Sequence, residues 1–228
     1  MPPVILAAVA CMTALALPGC APGTAEPTPA ATRTPIRLGP TSTSAPTSTA
    51  LPEPLAAPTL APIPPVSPDD WRLGPDDAPV ELLVYADFQS PNAALGLADL
   101  FGTYDRHPDE IQLIFRHFPV LPEYDKDSLA GQAVEAAGRQ GLFWEMARIL
   151  TTRYPEWSVL PPEGFRQWLE EQAPLVGLDL ADFVADLDGG RFAPLMVEAF
   201  QEASAAGIPG VPTVFLNGVP LRLSLTPL

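Results

Sequence analysis

Residues 80–118 read strand, helix, strand with hardly a residue to spare, and that spacing constrains the fold more than any other feature. Val80-Glu81-Leu82-Leu83-Val84-Tyr85-Ala86 is an apolar run of strand length, suited to burial on both faces. Ser90-Pro91 follows at once. A serine hydroxyl can accept from an orphan N–H at a helix start, and proline fits the first helical position because no N–H is needed there. A helix is expected to about Arg106, with Leu95, Leu97, Ala98, Phe101 and Tyr104 on its apolar side. Residues 111–118, Ile-Gln-Leu-Ile-Phe-Arg-His-Phe, form the second strand. Two strands joined through a helix pair in parallel, so this is a βαβ unit of an α/β fold. A strand delivering its C-terminal end to a helix N-terminus is a favoured place for chemistry. Ser90, Pro91, Asn92 and Ala93 are therefore the candidate site.

Beyond the unit, residues 125–206 are mainly helical. Helices are expected over 127–139, 142–154, 163–172, 179–187 and 191–206, with a loop at 155–162. Their aromatic and methionine residues recur at helical spacing and belong to a core. Gly207-Ile208-Pro209-Gly210-Val211-Pro212 is a turn cluster. Thr213-Val214-Phe215-Leu216, Asn217-Gly218 and residues 219–225 then spell a β-hairpin.

The rest of the chain is not built for a core. Thirteen prolines fall between Ala21 and Pro68, mixed with Thr, Ser and Ala. Too few large apolar groups are present to offset ordering entropy, so 21–68 reads as a disordered or polyproline-like tether and 69–228 as the folded domain. Extended at about 3.1 Å per residue, that tether reaches on the order of 150 Å. Within it Glu26 and Glu53 balance Arg33 and Arg37, so the remaining 25 acidic and 10 basic residues carry the whole net charge of −15. Such a surface excludes nucleic acid as a partner and disfavours direct contact with anionic lipid headgroups. The only cysteines are Cys11 and Cys20, and the only histidines are His107 and His117. The domain thus has no thiol nucleophile, no disulfide and no cysteine- or histidine-rich metal site.

Residues 1–20 fit an export signal: residues 4–17 are mainly apolar and too short to span a bilayer comfortably. Leu17-Pro18-Gly19-Cys20 resembles the lipobox of bacterial lipoproteins, which implies lipid on Cys20 and an exported, membrane-anchored protein. A plain secretory signal and a misplaced start codon are the alternatives.

Several blocks together resemble the DsbA-like branch of the thioredoxin superfamily. Leu73-Gly74-Pro75-Asp76-Asp77-Ala78-Pro79-Val80 is similar to its lead-in segment, and Tyr85-Ala86-Asp87-Phe88-Gln89 to the strand end before its active site. Phe115-Arg116-His117-Phe118-Pro119, Ala133-Val134-Glu135-Ala136-Ala137-Gly138 and Gly141-Leu142-Phe143-Trp144-Glu145-Met146 are similar to its second strand and first inserted helices. Residues 207–218 are similar to the loop bearing its cis-proline. The resemblance implies a thioredoxin-like fold: a βαβ unit, an inserted helical block and a C-terminal hairpin. Relatives add a terminal helix over the sheet, absent after residue 225 here. The expectation is therefore an exposed sheet face, a partner covering it, or a truncated gene model.

The resemblance also locates the site. Relatives carry Cys-x-x-Cys at the strand-to-helix joint, where the helix N-terminus stabilises the first thiolate. Ser90 and Ala93 stand at the two cysteine positions. A serine is too weak an acid to replace the thiolate, and thiol–disulfide exchange needs sulfur. Val211 and Pro212 are the counterpart of the edge that holds extended peptide or thiol ligands in relatives; a cis-proline kept for folding alone is the other reading. The leading expectation is a redox-inactive, extracytoplasmic binding or structural module for a protein or peptide, with no cofactor and no catalytic residue. The alternative is an enzyme similar to kappa-class glutathione transferases and hydroxychromene-carboxylate isomerases, whose Ser-Pro serine hydrogen-bonds a bound thiol. Serine-nucleophile hydrolysis at Ser90 is a third reading; neither histidine is placed by sequence as its base, and neither has an evident acidic partner. Asp87 reads as a strand-end hydrogen-bonding residue rather than a proton carrier.

Overall fold

A computed structural model describes residues 63–121 and 123–221. The signal and lipobox reading at 1–20, the tether up to residue 62 and the chain beyond residue 221 lie outside the described residues.

The βαβ unit forms as its spacing requires. β1 (Trp71–Leu73), β2 (Val80–Ala86), β3 (Ile111–His117), β4 (Thr213–Leu216) and β5 (Val219–Leu221) make one sheet in the order β1-β3-β2-β4-β5. β2 and β3 are parallel, Leu82 beside Leu113 and Ala86 beside His117, and α1 (Pro91–Arg106) joins them. The other pairings are antiparallel. Asn217 and Gly218 both adopt positive φ, 47° and 78°, as a tight hairpin turn demands.

Alternation along the strands divides the core. Leu82, Val84, Leu113 and Phe115 face α1 and the helical block, α2 (Asp127–Arg139), α3 (Phe143–Thr152), α4 (Tyr154–Trp157), α5 (Pro162–Gln172) and α6 (Leu180–Asp188). Leu83, Tyr85, Ile114 and Phe215 face the other way, against Phe200 and Ala203 of α7 (Ala193–Ala205) and against Ile63 and Val66. An exposed face was one of the three expectations for this side of the sheet. Instead Ile114 and Phe215 are 0% and 1% exposed, because α7 folds back over it. Residues 63–68, proline-rich and read as tether, lie on the domain and help close that face.

Three local readings change. β1 was not expected; three residues carry no alternation to detect, yet Trp71 pairs with Phe115. On α1 the buried side is Ala93, Ala94, Leu97 and Phe101, whereas Leu95 is 57% exposed and Ala98 is also outside. The loop expected at 155–162 begins with α4, whose Trp157 is fully buried, donates Nε1–H to the Leu150 carbonyl at 2.8 Å and packs on Phe165.

Candidate active-site joint

β2 ends at Ala86, and the next four residues carry the chain into α1. Ser90 sits at the N-cap with φ −70° and ψ 134°, and Pro91 starts the helix. The hydroxyl does not cap, as the sequence suggested. It donates to Asp87 Oδ1, and the Ser90 N–H donates to the same oxygen at 3.2 Å. Asp87 competes successfully because its carboxylate, 1% exposed, has lost its water and needs donors. Ser90 and Ala93 are buried at 5% and 0%, while Pro91 and Asn92 face solvent.

Beneath Ser90 lies a second carboxyl. Asp127, at the start of α2 and 1% exposed, accepts N–H bonds from Val120 at 2.6 Å and Phe88 at 3.4 Å. Burial and the adjacent Asp87 charge push Asp127 up to about 8. Burial raises Asp87 too, offset in part by its bonds from Ser90. Two buried carboxyls in contact cannot both ionise cheaply, so the pair holds one proton near neutral pH. Asp87 Oδ2 finds no hydrogen-bond donor among the described residues.

Neighbouring groups fasten the joint. Gln89 donates to Asp125 Oδ1 at 2.8 Å and accepts from the Lys126 N–H at 2.6 Å, and its carbonyl accepts from Tyr154 O–H at 2.9 Å. Bonds from Lys126 and Gln89 hold the Asp125 carboxyl below its ordinary range. Burial raises the Tyr124 and Tyr154 hydroxyls, and the nearby Asp87 charge adds to that.

The opposite wall is the Val211-Pro212 loop. Its peptide bond is cis, and Pro212 lies against α1: a Cβ on Gly96 would fall 2.6 Å from Pro212 Cγ. Only glycine permits that approach. Val211 is half-buried, and its N–H and C=O have no backbone partner among the described residues. The structure thus sets Pro212 against Gly96, in the second turn of α1.

Residues 67–227 match the family described as Thioredoxin. The chain belongs to the thioredoxin family. Its fold is DsbA-like, as similarity to solved structures shows. BdbD from Bacillus subtilis (oxidised) aligns over 67% of this chain and 83% of its own, with TM-score 0.57 and 19% identity. MdbA, a thiol-disulfide oxidoreductase from Actinomyces oris, aligns over 67% and 80%, with TM-score 0.54 and 17% identity. Among curated proteins, the Na(+)/H(+) antiporter NhaA 3 of Salinispora tropica is 32% identical over 158 residues, 68% of this chain and 22% of that protein. The Na(+)/H(+) antiporter NhaA of Herminiimonas arsenicoxydans is 31% identical over 160 residues, 70% and 24%. The chain spans under a quarter of the length of these relatives.

Sequence reasoning missed Asp127, which carries no motif and reaches Asp87 only through the fold. It also gave His117 no acidic partner. In the structure His117 Nε2 bonds Glu135 Oε1 at 2.8 Å, while His107 caps α1 and lies 3.5 Å from Glu110. Neither histidine bonds Ser90, whose acceptor is Asp87.

Proposed function

We propose that this protein is a binding module that uses the active-site architecture of a thiol-disulfide oxidoreductase without thiol chemistry. An extended protein or peptide segment lies across the α1 N-terminus and hydrogen-bonds the main chain of Val211. The observation that carries this reading is the half-buried Val211 backbone, which has no backbone partner among the described residues, in a domain with no cysteine. An unpaired N–H and C=O on an exposed edge is what a peptide strand needs for main-chain pairing. Exposed Leu95, one turn into α1, supplies an apolar contact next to it.

The location we assign is outside the cytoplasm, with the domain held to the membrane by lipid on Cys20 and spaced from it by the proline-rich tether. The lipobox-like sequence and the tether composition support this. No helix among the described residues is long and apolar enough to cross a membrane. The kinship with long chains named as antiporters points to a membrane protein within tether reach as the partner.

The glutathione-transferase-like alternative is weaker, because the Ser90 hydrogen is already given to Asp87 and is not free for a thiol ligand. A photo-crosslinking residue at Val211, challenged with unfolded polypeptide, tests the binding reading. Crosslinking suppressed by excess unlabelled peptide supports it; none, or none above a probe at Glu163 on α5, overturns it.

A further inference from the structure

A cavity of about 570 Å3 opens between the 63–70 strap, the β1–β3 edge and α7, and none of Ser90, Pro91, Asn92, Ala93, Val211 or Pro212 lines it. That volume suits a small organic ligand. Its chemistry is set by which charges remain available. Arg116 is its only arginine, and all five of its N–H groups are occupied: Asp70 takes two at 2.7 and 2.8 Å, and Pro64 O, Pro65 O and Tyr85 Oη take the others. An anionic ligand therefore finds no guanidinium to bind.

Negative charge is left over. Asp70 is matched by Arg116, but Glu135, Asp69 and Glu202 also line the cavity. Glu135 is only 8% exposed. The Trp71 indole at 2.7 Å and His117 Nε2 at 2.8 Å both reach its Oε1, whereas Oε2 takes no donor among the described residues. Oε2 is thus free to accept from a donor that enters the cavity. Trp71, Tyr85 and Phe115 add aromatic surface, and Leu195 and Ala199 add an apolar wall. A metal ion fits poorly, because no three acidic, cysteine or histidine side chains converge to hold one among the described residues.

We propose that this cavity binds an alkylammonium group, with Glu135 accepting from the ammonium and the aromatic and aliphatic walls enclosing its carbon chain. The same group occurs on free amines and on lysine side chains. This site is separate from the peptide edge at Val211, and either can fail without the other.

Calorimetric titration of the purified protein with hexylammonium and with Nα-acetyl-lysine N-methylamide tests it, with hexanoate as the charge-reversed control. The expected result is one saturable site for at least one ammonium ligand, tighter than for hexanoate. The tighter of the two assigns the source, free amine or lysine. Glu135→Gln keeps an acceptor for Trp71 and His117 but removes the charge, and should weaken binding by about tenfold or more. Should that variant unfold, Ala199→Trp fills the cavity from α7 and should abolish binding while the melting transition persists. No saturable binding at millimolar ammonium, equal binding of hexanoate, or undiminished binding by either folded variant would overturn the proposal.

Discussion

The Ser90 hydroxyl donates to Asp87 Oδ1 rather than capping its own helix, so the start of α1 is fastened to a buried carboxylate. Ser90→Ala removes that donor and leaves Asp87 held by one backbone N–H. The variant should lose about 1–3 kcal/mol, the cost of an unsatisfied buried group, measured by urea unfolding at neutral pH. A loss within experimental error would show that the bond contributes nothing.

Asp87 and Asp127 make stability fall as pH rises. Both carboxyls bind a proton more tightly in the folded than in the unfolded chain, where 3.8 is the ordinary value. Their stabilisation is complete below about pH 4 and is lost as pH climbs through about 8, where Asp127 titrates. The slope per proton is on the order of 1 kcal/mol per pH unit. Tyr124 and Tyr154 are the other titratable groups close to Asp87 and stay neutral over this window. Asp127→Asn supplies a permanent donor to Asp87, so its unfolding free energy should fall less from pH 5 to pH 8. Parallel curves for the two proteins would contradict the shared proton.

Arg116 ties the strap to the sheet. Burial alone would raise Asp70, but the Arg116 hydrogen bonds and the Ser67 N–H hold its carboxyl below the usual range; in turn Asp70 raises Arg116. Arg116→Met leaves Asp70 uncompensated and frees the Pro64 and Pro65 carbonyls. It should cost about 3–5 kcal/mol, with hydrogen exchange quickening first at Val66, Asp70 and Trp71. Exchange unchanged there would deny the clamp.

Gly96→Val should part the cis-proline loop from α1. A Cβ at that position already collides with Pro212, and two further methyls cannot be housed without moving the 210–212 segment. About 1–3 kcal/mol of destabilisation is expected from such overpacking, together with chemical-shift changes at Val211 and Ser90. Changes confined to α1 would contradict the contact.

The outline of the fold was legible because periodicity and turn chemistry are local: β2, α1, β3 and the Asn217-Gly218 turn stand where their residues placed them. Misreadings fell where tertiary contact decides. Trp71-Arg72-Leu73 becomes a strand only because β3 offers an edge, and Trp157 makes a loop into a helix because its ring has a pocket between Leu150 and Phe165. An exposed sheet face was one of the expectations, while α7 packs on it, a contact that linear spacing does not reveal. At the site, Ser90, Ala93 and Pro212 were visible as departures from or matches to a motif. Asp127 and Glu135 were not, since a carboxylate 40 residues along the chain from Asp87, or one on α2 facing His117, leaves no mark in linear spacing.

The most direct measurement is disulfide exchange by the purified protein: insulin reduction and refolding of a scrambled disulfide substrate, beside the Ser90→Cys/Ala93→Cys variant. The account predicts no turnover above a no-protein control for the natural chain and measurable turnover for the variant, whose new thiols sit at the α1 N-terminus. Turnover by the natural chain would contradict it.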